Sequence, residues 1–269
     1  MYYSAGNYEA FAHPKKVEGA EHKKAYIVGS GLAGLTTAFY LVRDAGVPGE
    51  NVFIFDRDPV SGGACDGAHD PKYGYYMRGG REMDNHFEVM WDVYRDVPSK
   101  GNPNVSVLDE YYWLNKEDPN YSLCRATDQC GHKLPTGHDF TLDKEAQTQL
   151  LKLFLTPEKE LEYKKISDCF DEHFWRSNFW LYWQTMFAFQ EWSSALEMKR
   201  YLQRYVHHID GLPDFTALRF TRYNQYESMI LPLLHYLEKR GVSFIPHSEV
   251  TNVIVKECPN GKKRAQSIE

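Results

Sequence analysis

The pattern of hydrophobic and polar positions predicts short strands near both ends of the chain and helices between them. Ala25–Val28 is an apolar run that predicts a buried strand, and Leu35–Val42 predicts an apolar helix. Asn51–Phe55 predicts a second strand, and Val242–Ile245 and Val250–Val255 predict two more. The fold class that follows from this arrangement is α/β.

The turn between the first strand and its helix carries the spacing G-x-G-x-x-G, at Gly29, Gly31 and Gly34. The first glycine permits a sharp turn, the second lets a pyrophosphate approach the backbone, and the third lets helix and strand pack closely. The N–H groups and the positive dipole end of the helix then face the phosphates. Asp56 ends the second strand, at the offset expected of a ligand to a ribose 2′-hydroxyl. The pattern predicts a Rossmann-like dinucleotide site; the alternative is a glycine-rich turn followed by a chance acid.

A second glycine-rich loop follows Asp56 and includes Ser61, Gly62 and Gly63. A domain that binds only NAD would be expected to continue directly into another helix. A loop at this position is instead expected to pass beside the ribityl chain and pyrophosphate of a flavin. The loop therefore favours FAD as the cofactor.

The segment Arg78–Met83 places two arginines and a glutamate around a Gly-Gly step. Glycines let the backbone come close to a ligand, and arginines hold a phosphate or orient a carboxylate. Glu82 could act as a general base in a confined site. The alternative is a surface turn with solvated ion pairs.

Helical spacing dominates the middle of the chain. The predicted helices cover residues 84–97, 144–154, 158–166, 174–192 and 194–208, and a further helix runs through Leu237 to Arg240. Val105–Leu114 predicts a β-like or buried segment, and residues 115–141 predict loops. We therefore expect an N-terminal arm over residues 1–24 and the first part of a flavin domain over 25–100. A mainly helical substrate-pocket insertion is expected over 101–240, and an incomplete return to the flavin domain over 241–269.

Aromatic residues are concentrated in Phe174–Trp192, which contains nine of them in nineteen positions. Aromatic side chains bury much area at low entropy cost and line pockets for long apolar ligands. Ordinary core packing is the alternative. Tyr201 falls on an apolar stripe with Met198, Leu202 and Tyr205, a position typical of a core residue.

Composition excludes several classes of protein. The net charge of −6 argues against nucleic-acid binding, which needs clustered Lys and Arg. Five cysteines without a C-x-x-C pair suggest reduced thiols and a cytoplasmic protein. Cys124, Cys130 and His132 have poor zinc spacing, so no metal is expected. The N-terminus has no apolar core typical of a signal peptide, and no run of eighteen uncharged apolar residues predicts a membrane span.

Several longer motifs together resemble one family, and the likeness runs over essentially the whole chain. They are Met1–Ser4, Gly6–Phe11, Gly29–Gly34, Arg78–Met83, Leu108–Glu110 with Tyr112–Lys116, Ser177–Trp180, Ser194–Met198 and Tyr223–Ser228. The chain resembles the oleate hydratase family, also called the myosin-cross-reactive antigen family.

The resemblance implies hydration of the cis double bond of an unsaturated fatty acid, giving the 10-hydroxy product from oleate. FAD would be required without net electron transfer, ordering the site and supplying electrostatic stabilisation. By motif, Glu82 would polarise the water and Tyr201 would protonate the alkene. The implied cofactor contacts are Gly29, Gly31, Ala33, Gly34, Asp56, Arg57, Gly63, Arg78, Gly80, Arg81, Met83 and a backbone group near Val250.

Two departures from the family pattern affect this interpretation. Asp56 stands where the family commonly has glutamate, and family members are about twice as long. The missing part would hold the return of the flavin domain, much of the fatty-acid pocket and the helical segment linked to homodimer formation and peripheral membrane contact. Three hypotheses stay open: a hydratase or its N-terminal portion, a redox flavoenzyme acting on a hydrophobic substrate, and an inactive truncated chain.

Overall fold

The computed structural model describes residues 13–77, 82–121, 125–127, 130–216 and 218–269. The chain forms two compact units. The helical unit comprises Asp118–Arg219, and the sheet unit comprises Phe220–Glu269 together with the described residues before Asp118.

The sheet unit is built on three parallel strands, β1 (Ala25–Val28), β2 (Val52–Phe55) and β5 (Ser243–Ile245). β2 lies in the centre and pairs with both neighbours. A parallel order requires crossover connections, and the first is helix α1 (Leu32–Tyr40), which continues into a single π-helical turn. The parallel sheet with helices agrees with the predicted α/β class.

One face of this sheet packs against the helices of the same unit. α1, α2 (Glu88–Tyr94), α3 (Val107–Glu117) and α9 (Leu231–Glu238) contribute to one hydrophobic core with the sheet. Leu35, Phe39, Ile54 and Leu233 are fully buried in it. Apolar residues three to four positions apart on α1 supply its buried face.

The sequence predicted either a β-like or a buried segment at Val105–Leu114. The β-like alternative is wrong, because most of this segment lies in helix α3. Ser106 and Asp109 form reciprocal hydrogen bonds at its start, with the Asp109 N–H donating to Ser106 Oγ and Ser106 Oγ donating to Asp109 Oδ2. Val107 and Tyr111 are buried one helical turn apart. The run of residues that suggested a strand is therefore a capped helix, of which Val107 and Tyr111 form the buried face.

Two antiparallel hairpins complete the sheet unit. β3 (Gly67–Asp70) pairs with β4 (Gly74–Met77), and β6 (Val253–Glu257) pairs with β7 (Lys263–Ile268). The strand predicted at Val250–Val255 thus begins three residues later and belongs to a hairpin, not to the parallel sheet.

The helical unit contains five α-helices in its described part. They are α4 (Lys144–Leu155), α5 (Glu158–Leu161), α6 (Glu172–Trp175), α7 (Asn178–Phe187) and α8 (Ala195–Tyr205). Side chains cap four of them, since Asp143, Asp171, Ser177 and Ser194 each accept a hydrogen bond from a backbone N–H in the first turn. The long helix predicted over 174–192 is divided, because Ser177 begins a new helix and Ala188 ends it with a φ of 56°.

The bounds of the two units differ from the predicted division at residues 100 and 240. α3 and α9 both lie within the predicted insertion, yet they pack in the core of the sheet unit. Which segments hold flavin and which hold substrate stays a prediction. Among the described helices, none combines the length and the apolar character that crossing a bilayer would require.

Candidate functional site

The glycine-rich turn joins β1 to α1 with a conformation that only glycine readily adopts. Gly29 has a φ of 92°, and its N–H donates to the Phe55 carbonyl oxygen at 2.7 Å. A Cβ on Gly34 would lie 2.0 Å from the Gly29 carbonyl oxygen. A larger residue at position 34 would therefore displace the backbone of the turn.

The first turn of α1 leaves its N–H groups open toward an anion. Gly31 is the N-cap residue with extended backbone, and no side chain of the described residues caps the helix. The first hydrogen bond after the turn runs from the Leu35 N–H to the Gly31 carbonyl oxygen at 3.0 Å. Uncapped N–H groups and the helix dipole together form a site that suits a phosphate.

Asp56 is fixed by hydrogen bonds at the end of β2. Its Oδ2 accepts from the Ser30 N–H at 2.6 Å and from Ser30 Oγ at 2.5 Å, and its Oδ1 accepts from the Asp58 N–H at 2.9 Å. Burial by itself would raise the pKa of Asp56, but these hydrogen bonds and the nearby Arg57 charge hold it below its ordinary value. The carboxylate is therefore ionised at neutral pH and aimed along the glycine-rich turn.

The carboxylate of Asp56 retains capacity for a ligand. A carboxylate offers about four lone-pair positions. Three are occupied by the two Ser30 donors and the Asp58 N–H. The remaining position is on Oδ1, where a hydroxyl group could donate.

The second glycine-rich loop lies against the first. The Gly62 N–H donates to the Ser30 carbonyl oxygen at 2.9 Å, and Gly31 and Gly62 form an isolated parallel bridge. A Cβ on Gly63 would lie 3.1 Å from the Gly31 Cα, and Gly63 has a φ of 55°. Two glycines thus face each other where two backbones approach closely, so the second loop packs directly against the phosphate-binding turn.

Arg57 and the Val250 segment lie near the same end of the sheet. Arg57 is exposed and forms an ion pair with Asp58 at 3.5 Å. The Ser248 N–H donates to the Asp56 carbonyl oxygen at 2.8 Å, which holds the chain two residues before Val250 at the end of β2. The structure therefore brings together Asp56, the two glycine loops and the segment that leads to Val250.

The Arg78–Met83 motif is only partly described. Arg78, Gly80 and Arg81, predicted to contact the cofactor, lie outside the described residues. Glu82 is exposed, whereas Met83 is buried in the core of the sheet unit. Their predicted roles stay predictions.

Tyr201 is positioned by aromatic neighbours on the helical unit. Its ring lies edge-on to Phe187 and Phe189, with centroids 5.5 and 5.1 Å away. The side chain keeps 42% of its surface exposed, while Met198 and Leu202 on the same helix are buried. Tyr201 thus combines an apolar setting with partial exposure to solvent, and its predicted role stays a prediction. Glu82 belongs to the sheet unit and Tyr201 to the helical unit.

The aromatic segment forms the hydrophobic core of the helical unit. Phe174, Phe179 and Trp183 are buried, and the rings of Phe179 and Trp183 stack with centroids 5.6 Å apart. Ordinary core packing, the alternative to a pocket lining, therefore describes these three side chains. The Trp183 indole N–H is buried without an acceptor among the described residues.

Two residues of structural importance were not identified from the sequence. Ser30 is buried and bonds Asp56, although its partner is 26 positions away. Lys199 is also buried, and its Nζ donates to the Thr156 carbonyl oxygen at the end of α4. Lys199 does not belong to the apolar stripe of Met198, Leu202 and Tyr205, and no local sequence pattern predicts either contact.

Two curated relatives align with nearly the whole chain. An oleate hydratase of Streptococcus pyogenes serotype M49 (strain NZ131) is 50% identical over 268 residues, which are 100% of this chain and 45% of the relative. A linoleate hydratase of Lactiplantibacillus plantarum is 30% identical over 257 residues, covering 88% of this chain and 45% of that protein. The chain therefore spans about half the length of the curated relatives it matches.

A solved structure supports the fold. The crystal structure of an oxidoreductase from Methanosarcina mazei superposes with a TM-score of 0.54 at 14% identity, covering 87% of this chain and 53% of that chain. Likeness at this identity concerns the fold alone. The sequence matches the MCRA family over residues 22–269, which is most of its length. The chain belongs to the MCRA family.

Proposed function

We propose that this chain is part of a fatty-acid hydratase, which adds water to the cis double bond of an unsaturated fatty acid and converts oleate to 10-hydroxystearate. The observation that carries the proposal is 50% identity, over the full length of this chain, to a protein named as an oleate hydratase. The similarity to a linoleate hydratase supports the same substrate class.

The residues of the sheet unit fit FAD as the cofactor. The uncapped N–H groups at the start of α1 suit the pyrophosphate, and Gly31 and Gly63 let the second glycine-rich loop pack directly beside this turn. Among the described residues no donor occupies the second lone pair of Asp56 Oδ1, and this position suits a ribose hydroxyl. The further contacts proposed by resemblance are Ala33, Arg57, Arg78, Gly80, Arg81, Met83 and Val250. When bound, FAD would order the site and supply electrostatic stabilisation without net electron transfer.

Hydration of an isolated alkene needs a proton donor facing one carbon and a water facing the other. Tyr201 would donate its phenolic proton to the first carbon, and charge resembling a carbocation would develop on the second. Glu82 would stabilise that charge and accept a proton from the attacking water. A proton returns to the Tyr201 oxygen at the end of the cycle, so the sum is one water added across the double bond.

The surroundings of Tyr201 support its assignment as the donor. Phe187 and Phe189 present apolar ring surface beside it, which suits a hydrocarbon chain. Tyr201 is partly exposed at 42%, whereas Tyr182 of the same unit is buried in the core.

For the complete protein we further infer a homodimer in the cytoplasm with peripheral contact to membranes. These expectations derive from the resemblance to the family. The net charge of −6 agrees with the expectation that nucleic acid is not a partner.

A redox flavoenzyme acting on a hydrophobic substrate is the second candidate, since the fold is shared with an oxidoreductase. The two candidates differ in what happens to the flavin. Substrate would reduce bound FAD stoichiometrically in a redox enzyme and would leave the flavin spectrum oxidised after hydration. A third candidate, an inactive truncated chain, would yield no product and little bound flavin.

The test is incubation of the chain with FAD and oleate in water enriched in heavy oxygen, followed by mass spectrometry of the lipid. We expect hydroxystearate that carries the heavy oxygen, without net oxidation, and loss of this product in Tyr201→Phe and Glu82→Gln variants. Tyr163→Phe, at an exposed tyrosine of the same unit, is the matched control. The same assay is run on the chain extended by the remaining part of the streptococcal relative. Absence of hydroxystearate from both forms would overturn the proposal.

A further inference from the structure

The strand register divides the parallel sheet into two faces of different surroundings. Ile27 pairs with Ile54, and Ile54 with Phe244; all three contribute to the core of the sheet unit. Neighbouring positions point to the opposite face. Tyr26 and Val28 on β1 and Phe53 and Phe55 on β2 therefore form that second face, together with Ser243 and Ile245 on β5.

This second face, which we call the open face, is apolar and accessible. Tyr26 is 54% exposed and Val28 is 57% exposed. Tyr26 stacks on Phe53 with centroids 5.4 Å apart and planes inclined by 16°, and it also stacks on Phe55. Four large apolar side chains thus form one continuous surface, which is unusual for a surface left in water.

A parallel sheet is normally covered on both faces. Among the described elements, helices cover the face that carries Ile27 and Ile54, and the open-face residues are absent from the described hydrophobic core. The sheet also has an open edge, because β1 pairs with β2 alone among the described strands. An unpaired edge beside an apolar face can accept both a further strand and a covering layer.

We propose that the open face and the free edge of β1 form a docking surface for one occupant: the polypeptide that corresponds to the part of the hydratase relatives that this chain does not match. Both curated relatives extend well beyond the aligned region, since the chain covers 45% of each. The occupant supplies a strand alongside Ala25–Val28 and apolar residues over Tyr26 and Phe53. The surface accepts it either as a continuation of the same chain or as a separate polypeptide.

The proposal rests on family membership and strand register, and it is independent of hydratase activity. It is tested by hydroxyl-radical footprinting of the chain alone and of a fusion that adds the unmatched part of the streptococcal oleate hydratase. We expect oxidation of Tyr26 to fall at least tenfold in the fusion. Tyr163, which is 91% exposed on the helical unit, is the internal control and should react equally in both. Equal oxidation of Tyr26 in the two proteins would overturn the proposal.

A paired substitution provides a second, independent measurement. The double substitution Tyr26→Lys and Val28→Lys should change the melting temperature of the isolated chain by no more than about 2 °C relative to the wild type, because both side chains face water there. The same pair should lower the melting temperature of the fusion by at least about 8 °C, because charges would then be buried. Equal shifts in both proteins would contradict the proposal. If the isolated chain is a dimer by light scattering and the pair makes it monomeric, a second copy is the occupant, and the proposed occupant is wrong.

Discussion

Ser30 donates two hydrogen bonds to one oxygen of Asp56, from its N–H at 2.6 Å and from its Oγ at 2.5 Å. Ser30 is the residue between the first two glycines of the turn, and Asp56 ends the second strand. The pair therefore ties the phosphate-binding turn to the acid proposed to bind ribose. Because Ser30 is buried, the orientation of the carboxylate is determined inside the protein before any ligand arrives.

Substitution of Ser30 by Ala should weaken the binding of FAD about tenfold. The Oγ–H donor is lost while the backbone donor stays, and a hydrogen bond to a charged group contributes about 1.5 kcal/mol. Equilibrium titration of FAD fluorescence measures the change. Thr37→Ala is the matched control, since Thr37 is an exposed hydroxyl residue of α1 that bonds only within the helix. Equal affinity of the wild type and Ser30→Ala would show that this hydroxyl does not orient Asp56.

Acid should remove the stabilisation that Asp56 provides. The folded-state pKa of Asp56 lies below its ordinary value of 3.8. Its contribution is therefore fully present above about pH 3.8 and is lost as the pH falls further through the folded-state pKa. We expect the difference in the free energy of unfolding between wild type and Asp56→Asn to be constant near pH 6 and to shrink below pH 3.8. Urea unfolding at a series of pH values measures it, and a difference that grows with acid would contradict this assignment.

Arg43 should be a major determinant of stability in the sheet unit. Its guanidinium group contacts Asp44 at 2.6 Å, Asp92 at 2.7 Å and Asp96 at 2.8 Å, and Asp92 is buried. Arg43→Met should cost about 2 kcal/mol, because it removes one charged partner from the buried Asp92 carboxylate, which keeps Arg95 at 2.8 Å.

Arg176→Met is the control for this change, because Arg176 pairs with Glu172 in an exposed i,i+4 arrangement. It should cost about 0.5 kcal/mol or less. Chemical denaturation of both variants measures the two costs. Similar values for the two substitutions would indicate that the Arg43 cluster is solvated.

Lys199 should stabilise the helical unit more than the adjacent Arg200 does. The Lys199 ammonium donates to the Thr156 carbonyl oxygen at the C-cap of α4, where a positive charge is favourable. Lys199→Met should therefore cost about 2 kcal/mol.

Arg200 forms an exposed ion pair with Glu158, and Arg200→Met should cost about 0.5 kcal/mol. Thermal unfolding followed by tryptophan fluorescence compares the two variants. A larger loss in Arg200→Met than in Lys199→Met would contradict the proposed order.

Local sequence patterns predicted β1, α1 and β2. The glycine spacing and the apolar runs that specify these elements each lie within a few residues along the chain. The helix at Val107–Glu117 was missed because Tyr111–Leu114 resembles a strand, although the Ser106–Asp109 capping pair was present in the sequence. The β3–β4 hairpin was also missed, because Gly67–Asp70 has few strand-forming residues.

Contacts between distant residues could not be predicted from the sequence. The Ser30–Asp56 pair joins positions 26 apart, and the Lys199–Thr156 contact joins positions 43 apart. Both depend on how whole elements pack. The open face of the sheet is similar, because its apolar residues resemble core residues in sequence. The strand register shows that they share one face, and the exposure of Tyr26 and Val28 shows that this face is uncovered.

The most direct measurement is a fluorescence titration of FAD against the purified chain and its Gly34→Ala variant, with ADP as a competitor. The wild type should bind one FAD, and ADP should displace it, because the pyrophosphate and ribose contacts carry the site. Gly34→Ala should lose binding, since its Cβ would lie 2.0 Å from the Gly29 carbonyl oxygen. Circular dichroism of the variant checks that the remaining fold persists. Absence of FAD binding by the wild type, or binding that Gly34→Ala leaves unchanged, would contradict a flavin site at this turn.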